Sequence, residues 1–273
     1  MSIDNNLPSI LADMGAAGRR ANQIDAAEAS AGNISVFIAD ADLGEVDEMF
    51  PSTEVIELPW KVPSLAGGCV VVTGSGKRLR DVGDDPEPCV GVVEVAPAGA
   101  TGTLHFSERR DYEHLTSEFN SHLAVHEDQV RRRRITHQAL VHTQPPYLTL
   151  LSHIPAYREQ IAFNRAVLRW EPESIVMLPE GICVLPFIVP GSDELMQANI
   201  KGLCDFQVVL WSKHGVMARS DISPTKAVDR IEYAETGARY EYLNMTIGGR
   251  AEGLTDAEMH AVISGFGVQT TIF

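Results

Sequence analysis

Strand-like and helix-like patterns interleave along most of this chain. From Leu7 to about Glu28, Ile10, Leu11, Met14, Ala17 and Ala21 recur near one face at helical spacing, which predicts an amphipathic N-terminal helix. The turn Ala31-Gly32-Asn33 leads into Ile34-Ser35-Val36-Phe37-Ile38, a strand by its β-branched content. Residues 40–68 are mixed and end in a connection containing proline and glycine. Cys69-Val70-Val71-Val72 is a continuous apolar run of the kind a strand buried on both faces needs. It ends in the glycine turn Thr73-Gly74-Ser75-Gly76-Lys77. Cys89 to Val95 and Thr103 to Phe106 predict two further strands.

The second half alternates more clearly. Thr116 or Ser117 is placed to cap a helix that begins with Glu118 and runs to the arginines at 131–134. Ala139-Leu140-Val141-His142 predicts a strand stopped by Pro145-Pro146, which opens another helix. Strands are predicted over Ser174 to Leu178 and Cys183 to Leu185, a helix over Ser192 to Cys204, and strands over Gln207 to Trp211 and Val216 to Arg219. Ser223-Pro224 starts a long helix to about Ile247. Interleaving of this kind predicts a layered α/β fold. With no repeat and no compositional break, residues 1–273 are expected to form one domain.

Composition narrows the function classes. The 22 Lys and Arg against 37 Asp and Glu give a formal charge of −15, which repels nucleic-acid backbones. No apolar run approaches the ~18 residues a membrane span needs, and the N-terminus lacks the pattern of a secretory signal. The four cysteines (Cys69, Cys89, Cys183, Cys204) form no CxxC pair. Reduced thiols and a cytoplasmic location are therefore expected, with neither nucleic acid nor membrane as a partner.

Four features carry candidate chemistry. The turn at 73–77 could aim backbone N–H groups at an anion, helped by the Ser75 hydroxyl and the Lys77 charge; a plain strand-ending turn explains it equally well. His142 at a strand end and His214 in His214-Gly215-Val216 could converge as metal ligands, although position 144, on the His142 face at strand period, is Gln. Two structural histidines among nine is the other reading. Glu118 at a helix start is either a charge complementing the helix dipole or, near a bound substrate, a general acid/base. Arg131-Arg132-Arg133-Arg134 fits a solvated helix end.

Taken together, these segments resemble the class II aldolase/adducin family. The resemblance rests on Ala31-Gly32-Asn33-Ile34-Ser35, Val72-Thr73-Gly74-Ser75-Gly76-Lys77, Thr116-Ser117-Glu118 with His122 four residues on, and Val141-His142. It continues through Pro179-Glu180-Gly181, Val189-Pro190-Gly191-Ser192-Asp193-Glu194 and Val209-Leu210-Trp211-Ser212-Lys213-His214-Gly215, in the family's order, over residues 30–220.

The resemblance implies a three-layer α/β/α fold around a mostly antiparallel sheet, and a homotetramer with active sites at subunit boundaries. It implies a lyase with one Zn2+ per subunit that cleaves a 1-phosphorylated ketose, rhamnulose 1-phosphate favoured, by a retro-aldol reaction. On this pattern Gly32, Asn33, Ser75, Gly76 and Lys77 fall in the substrate and phosphate region, and Glu118 falls on the catalytic carboxylate. Glu173 matches more loosely a second carboxylate that reaches into a neighbouring subunit. His142 and His214 fall on two of three zinc ligands. The third departs: the family's His-x-His reads His142-Thr143-Gln144 here, so Gln144 would ligate through a neutral carbonyl or leave that place to water. Two alternatives share the fold, a ribulose-phosphate 4-epimerase and a non-catalytic, adducin-like assembly module.

Overall fold

The computed structural model describes residues 6–272. Its centre is a sheet of nine strands among these residues: β1 (Asn33–Ile38), β2 (Ser52–Glu57), β3 (Cys69–Thr73), β4 (Val90–Val95), β5 (Thr101–Phe106), β6 (His137–Thr143), β7 (Cys183–Leu185), β8 (Val208–Trp211) and β9 (Gly215–Ser220). They lie in the order β2-β5-β4-β3-β1-β6-β9-β8-β7. Every neighbouring pair is antiparallel except β7 with β8.

The strands β1, β3 and β6 are buried along their whole length, because helices cover the sheet on both faces. On one face lie α1 (Leu7–Gln23), α4 (Pro146–Ser152), α5 (Gln160–Leu168) and α8 (Pro224–Thr246). Ile34, Val36 and Ile38 of β1 and Ala139 and Val141 of β6 point there, into a core shared with Met14, Phe163 and Ile231. The opposite face carries α3 (Phe119–Arg133), packed against α7 (Asp193–Asp205), over Phe37, Val70, Val72 and Leu140. This is the three-layer α/β/α arrangement that the resemblance implies, and a case of the layered α/β fold that the pattern predicts.

Local departures have local causes. The first helix stops at Gln23 rather than Glu28, since Asp25 and Ala29 turn into left-handed backbone at φ 58° and 48°. The segment predicted as a strand from Ser174 to Leu178 is instead α6 (Pro172–Met177). Its β-branched content is overridden by proline at the helix start and Glu173 in the first turn, both helix-opening signals. Glu118, rather than Thr116 or Ser117, occupies the cap position of α3, and its side chain makes no cap bond. The arginine run closes α3: Arg131 and Arg132 pair with Asp128, Arg133 pairs with Asp221, and Arg134 takes the left-handed cap at φ 56°. Also present are α2 (Leu43–Met49) and α9 (Asp256–Phe266), which the hydrophobic pattern does not announce. No described helix is long and apolar enough to cross a membrane.

Candidate active site

The antiparallel order brings five strand ends to one edge of the sheet: the C-terminal ends of β3, β6 and β8 and the N-terminal ends of β1 and β9. Asn33, which opens β1, is paired with His142 near the end of β6. Gly32 precedes it at φ 86°, and a Cβ there would lie 2.8 Å from the His142 carbonyl oxygen, so this entry into the strand requires glycine. His214 sits in the tight turn between β8 and β9, donating its backbone N–H to the Trp211 carbonyl at 3.0 Å. Glu118 enters from above, at the start of α3.

The side chains of Glu118, His142 and His214 converge, each offering a ligand atom within 4.8 Å of the others. Glu118 and His142 are almost fully buried. His142 donates from Nδ1 to the Val216 carbonyl oxygen at 2.8 Å, which fixes its tautomer and leaves Nε2 as an acceptor. That Nε2 lies 3.6 Å from Glu118 Oε2. The ring is also clamped by Trp211, stacked at 4.4 Å between centroids, and Trp211 is in turn held by Asn199 at 2.6 Å. The His142 and His214 rings are 5.0 Å apart. Burial, reinforced by His142, lowers the His214 pKa, and Glu118 opposes the shift.

These donors fit a divalent cation. Two imidazoles beside a carboxylate form a borderline set of the kind zinc takes. The His214 Nδ1 is buried without a hydrogen-bond partner, an arrangement that costs free energy unless something satisfies it.

The remaining candidates are distributed around this cluster. Asn33 donates from Nδ2 to Glu118 Oε2 at 2.8 Å. Gln144 is half-buried and lies one residue past the end of β6, where its backbone N–H bonds to the Ala26 carbonyl at 2.7 Å. Ser75 and Gly76 are exposed in the turn that leaves β3, joined to the start of β1 through Thr73 Oγ1, which accepts from the Ile34 N–H at 3.2 Å. Gly76 needs its glycine for φ 74°. The Lys77 ammonium is engaged 2.5 Å from Asp111 Oδ2. Glu173 is exposed on α6 and is not part of its own chain's cluster. A cavity of about 400 Å³ opens beside Thr116 and Ser117 with Arg110 and His114 in its wall, and none of the three clustered residues lines it.

The residues that support Glu118 from below were not singled out by sequence: Ser35, His126 and Gln138, with His122 named only as a neighbour. The available signal was spacing. Glu118, His122 and His126 recur every fourth residue along α3, and Asn33 and Ser35 every second residue along β1. Four helical residues rise about 6 Å and two strand residues about 6.6 Å, so the two files stay in step.

A layered α/β/α chain thus gathers its histidine–carboxylate cluster where strand ends meet at one edge of the sheet. The sequence profile described as Class II Aldolase and Adducin N-terminal domain matches residues 12–242, and the chain belongs to that family. It is 30% identical over 233 residues to the rhamnulose-1-phosphate aldolase of Bacteroides thetaiotaomicron, covering 85% of each chain. It is likewise 30% identical over 243 residues to that of Escherichia fergusonii, covering 88% of this chain and 87% of the relative. Among solved structures, a sugar-phosphate aldolase from Thermotoga maritima superposes with a TM-score of 0.74 at 25% identity, over 90% of this chain and 98% of that one.

Proposed function

We propose that this protein is a zinc-dependent aldolase that cleaves a 1-phosphorylated ketose, rhamnulose 1-phosphate in the first instance, to glycerone phosphate and lactaldehyde. The observation that carries the reading is the convergence of Glu118 with His142 and His214, with His142 locked in a metal-ready tautomer by the Val216 carbonyl. The names of the two curated relatives support the substrate.

In this reading His142 and His214 hold the cation, with Gln144 or water as the third ligand. Bound there, the cation supplies Lewis acidity toward the ketose oxygens. Glu118 exchanges the proton at the carbon that carries the charge once the C3–C4 bond has broken. Asn33 keeps that carboxylate turned toward the cluster, 2.8 Å from its own amide. Gly32, Ser75, Gly76 and Lys77 fix the phosphate end, so that the scissile bond is held in register. Glu173 stands exposed and apart from its own cluster, which fits a role in a homotetramer: the partner subunit's Glu173 handles the proton on the departing aldehyde oxygen.

Metal analysis of the purified protein, followed by cleavage assays on several ketose phosphates, tests the reading. One zinc per chain is expected, lost in His214→Ala and held more tightly against a chelator in Gln144→His, because a third imidazole replaces a neutral carbonyl. Epimerisation of a pentulose phosphate without cleavage would select the epimerase alternative. A wild-type chain that binds no divalent ion, together with a Gln144→His variant that creates no site, would overturn the metal reading in favour of a non-catalytic assembly module.

A further inference from the structure

Behind Glu118 a file of polar side chains runs into the protein. Asn33 Nδ2 is 2.8 Å from Glu118 Oε2, and His122 Nε2 is 2.5 Å from Asn33 Oδ1. Ser35 Oγ bridges two rings, 2.7 Å from His122 Nδ1 and 2.8 Å from His126 Nε2. His126 Nδ1 in turn lies 2.8 Å from Gln138 Oε1. Ser35, His122, His126 and Gln138 are fully buried, away from bulk solvent.

Such a file can run in only two directions. Burial drives the His126 pKa down to about 3 and holds His122 well below its usual range, so each ring is neutral and carries a single N–H. The Ser35 hydroxyl has one proton to give. If His126 donates to Gln138, Ser35 must donate to His126 and His122 to Ser35. The His122 Nε2 then accepts from the Asn33 amide, and the Asn33 carbonyl is left facing the Glu118 carboxylate, oxygen against oxygen. In the opposite direction every bond is satisfied: Gln138 donates to His126, His126 to Ser35, Ser35 to His122, His122 to Asn33, and Asn33 to Glu118. This direction needs the Gln138 amide turned, so that Nε2, which has no partner as placed, takes the position of Oε1 against His126. An ionised Glu118 therefore selects the second direction.

We propose that His122 is a positioning residue for Glu118, held by Ser35 and His126 as its Nε2–H tautomer so that Asn33 presents N–H, not a carbonyl oxygen, to the carboxylate. The consequence for turnover rests on the reading of Glu118 as the proton-exchanging group; the donor direction does not. The file is built from the two residue spacings that keep α3 and β1 in step, and its inner members lie beyond the reach of any substrate.

Histidine-selective 15N labelling of the metal-loaded full chain reads the tautomers directly. His122 and His126 should both show a protonated Nε2 and an accepting Nδ1. Ser35→Ala removes the hydroxyl between the rings, frees His122 to exchange tautomers, and should lower kcat about tenfold at nearly constant KM, the scale of one oriented bond to a charged group. Ser35→Thr, which keeps the hydroxyl, should restore both the tautomer and kcat. A merely structural serine would change thermal stability while leaving the tautomers and kcat per metal-loaded chain alone, and that result would overturn the proposal. A His122 found as the Nδ1–H tautomer in the wild type would overturn it without any substitution. A wild type that cleaves no ketose phosphate but shows both Nε2–H tautomers would refute the aldolase reading and leave the file standing.

Discussion

The two faces of the central sheet are built from the same strands and could hardly differ more. Toward α1 and α8, β1 presents Ile34, Val36 and Ile38, and β6 presents Ala139 and Val141, all within one apolar core. Toward α3 the alternate positions of those strands present Asn33, Ser35, Gln138 and His142 among the apolar residues. A period of two lets each strand serve both purposes with no change of backbone. A buried polar group left without a partner costs about 1–3 kcal/mol, so the α3 face retains its polar set only because consecutive members bond to one another. The α8 face handles its buried carboxylates differently. The buried carboxylate of Glu235 on α8 is met by two backbone donors, the N–H groups of Tyr147 and Leu148 at 2.8 and 2.9 Å, at the start of α4. One face threads its polar groups toward the candidate site; on the other, Glu235 is met locally by backbone donors and Glu241 by Tyr157, Arg169 and Trp170.

The largest expected effect lies on the α3 face. Glu118→Gln keeps the shape and an acceptor for Asn33 but removes the exchangeable proton, so kcat for ketose-phosphate cleavage should fall by roughly 10²–10⁴. Melting temperature and bound metal should be unchanged. Near-native turnover in this variant would take Glu118 out of the chemistry and reduce the α3 file to a structural network.

The next effect belongs to the α8 face and should appear in stability. Burial raises the Glu235 pKa to about 7, against the opposing pull of its two backbone donors. A carboxyl raised in the folded state binds its proton there more tightly than in the unfolded chain. Its contribution is therefore fully present below about pH 4.5 and is lost as pH rises through 7. Glu235→Gln cannot titrate, so the difference in unfolding free energy, wild type minus variant, should fall between pH 4.5 and 8 by on the order of 3 kcal/mol. Denaturant melts of both proteins across that range check it. A difference that stays flat with pH would mean that the carboxyl is not buried as a lone charge, and the contrast between the faces would weaken.

The same contrast explains what could be read from the chain. His142 and His214 stand out because each adjoins a strand-ending turn, and Glu118 because it opens a helix, so the cluster is visible as three separate local signals. The file beneath it has no local signal. His122 and His126 look like members of a mixed helix, and Ser35 like a small residue in an apolar strand, until the rises of α3 and β1 are matched. The elements missed have physical reasons as well. β2 is an edge strand with exposed Thr53, Glu54 and Val55, so it carries no apolar face to detect. At residues 174–178 a β-branched run lost to the proline-led helix start, which shows a helix-opening proline and a first-turn carboxylate outweighing side-chain preference over a short segment.

The smallest expected effect concerns the rim, where the turn after β3 meets the start of β1. Ser75 is exposed and Gly76 holds left-handed backbone with open space around it, which leaves the Ser75 hydroxyl accessible to an anion, while the N–H groups of Gly74 and Ser75 are already given to the Cys89 and His114 carbonyls. Lys77 is less free, because its ammonium is already paired with Asp111. A charge-assisted bond to phosphate contributes on the order of 1.5–3 kcal/mol, and competition from Asp111 pushes the Lys77 share toward or below the lower end. Ser75→Ala combined with Lys77→Ala should therefore raise KM for a 1-phosphorylated ketose by about tenfold, near 1.4 kcal/mol, with kcat much less affected. Weak turnover of the unphosphorylated ketose should keep its KM. If the double variant holds the wild-type preference for the phosphorylated sugar, the turn is a plain strand ending and the anion is gripped elsewhere along the sheet edge. Adding Asp111→Asn to Ser75→Ala while keeping Lys77 separates the two contributions: releasing the ammonium from its partner should recover part of the lost affinity only if Lys77 reaches the phosphate.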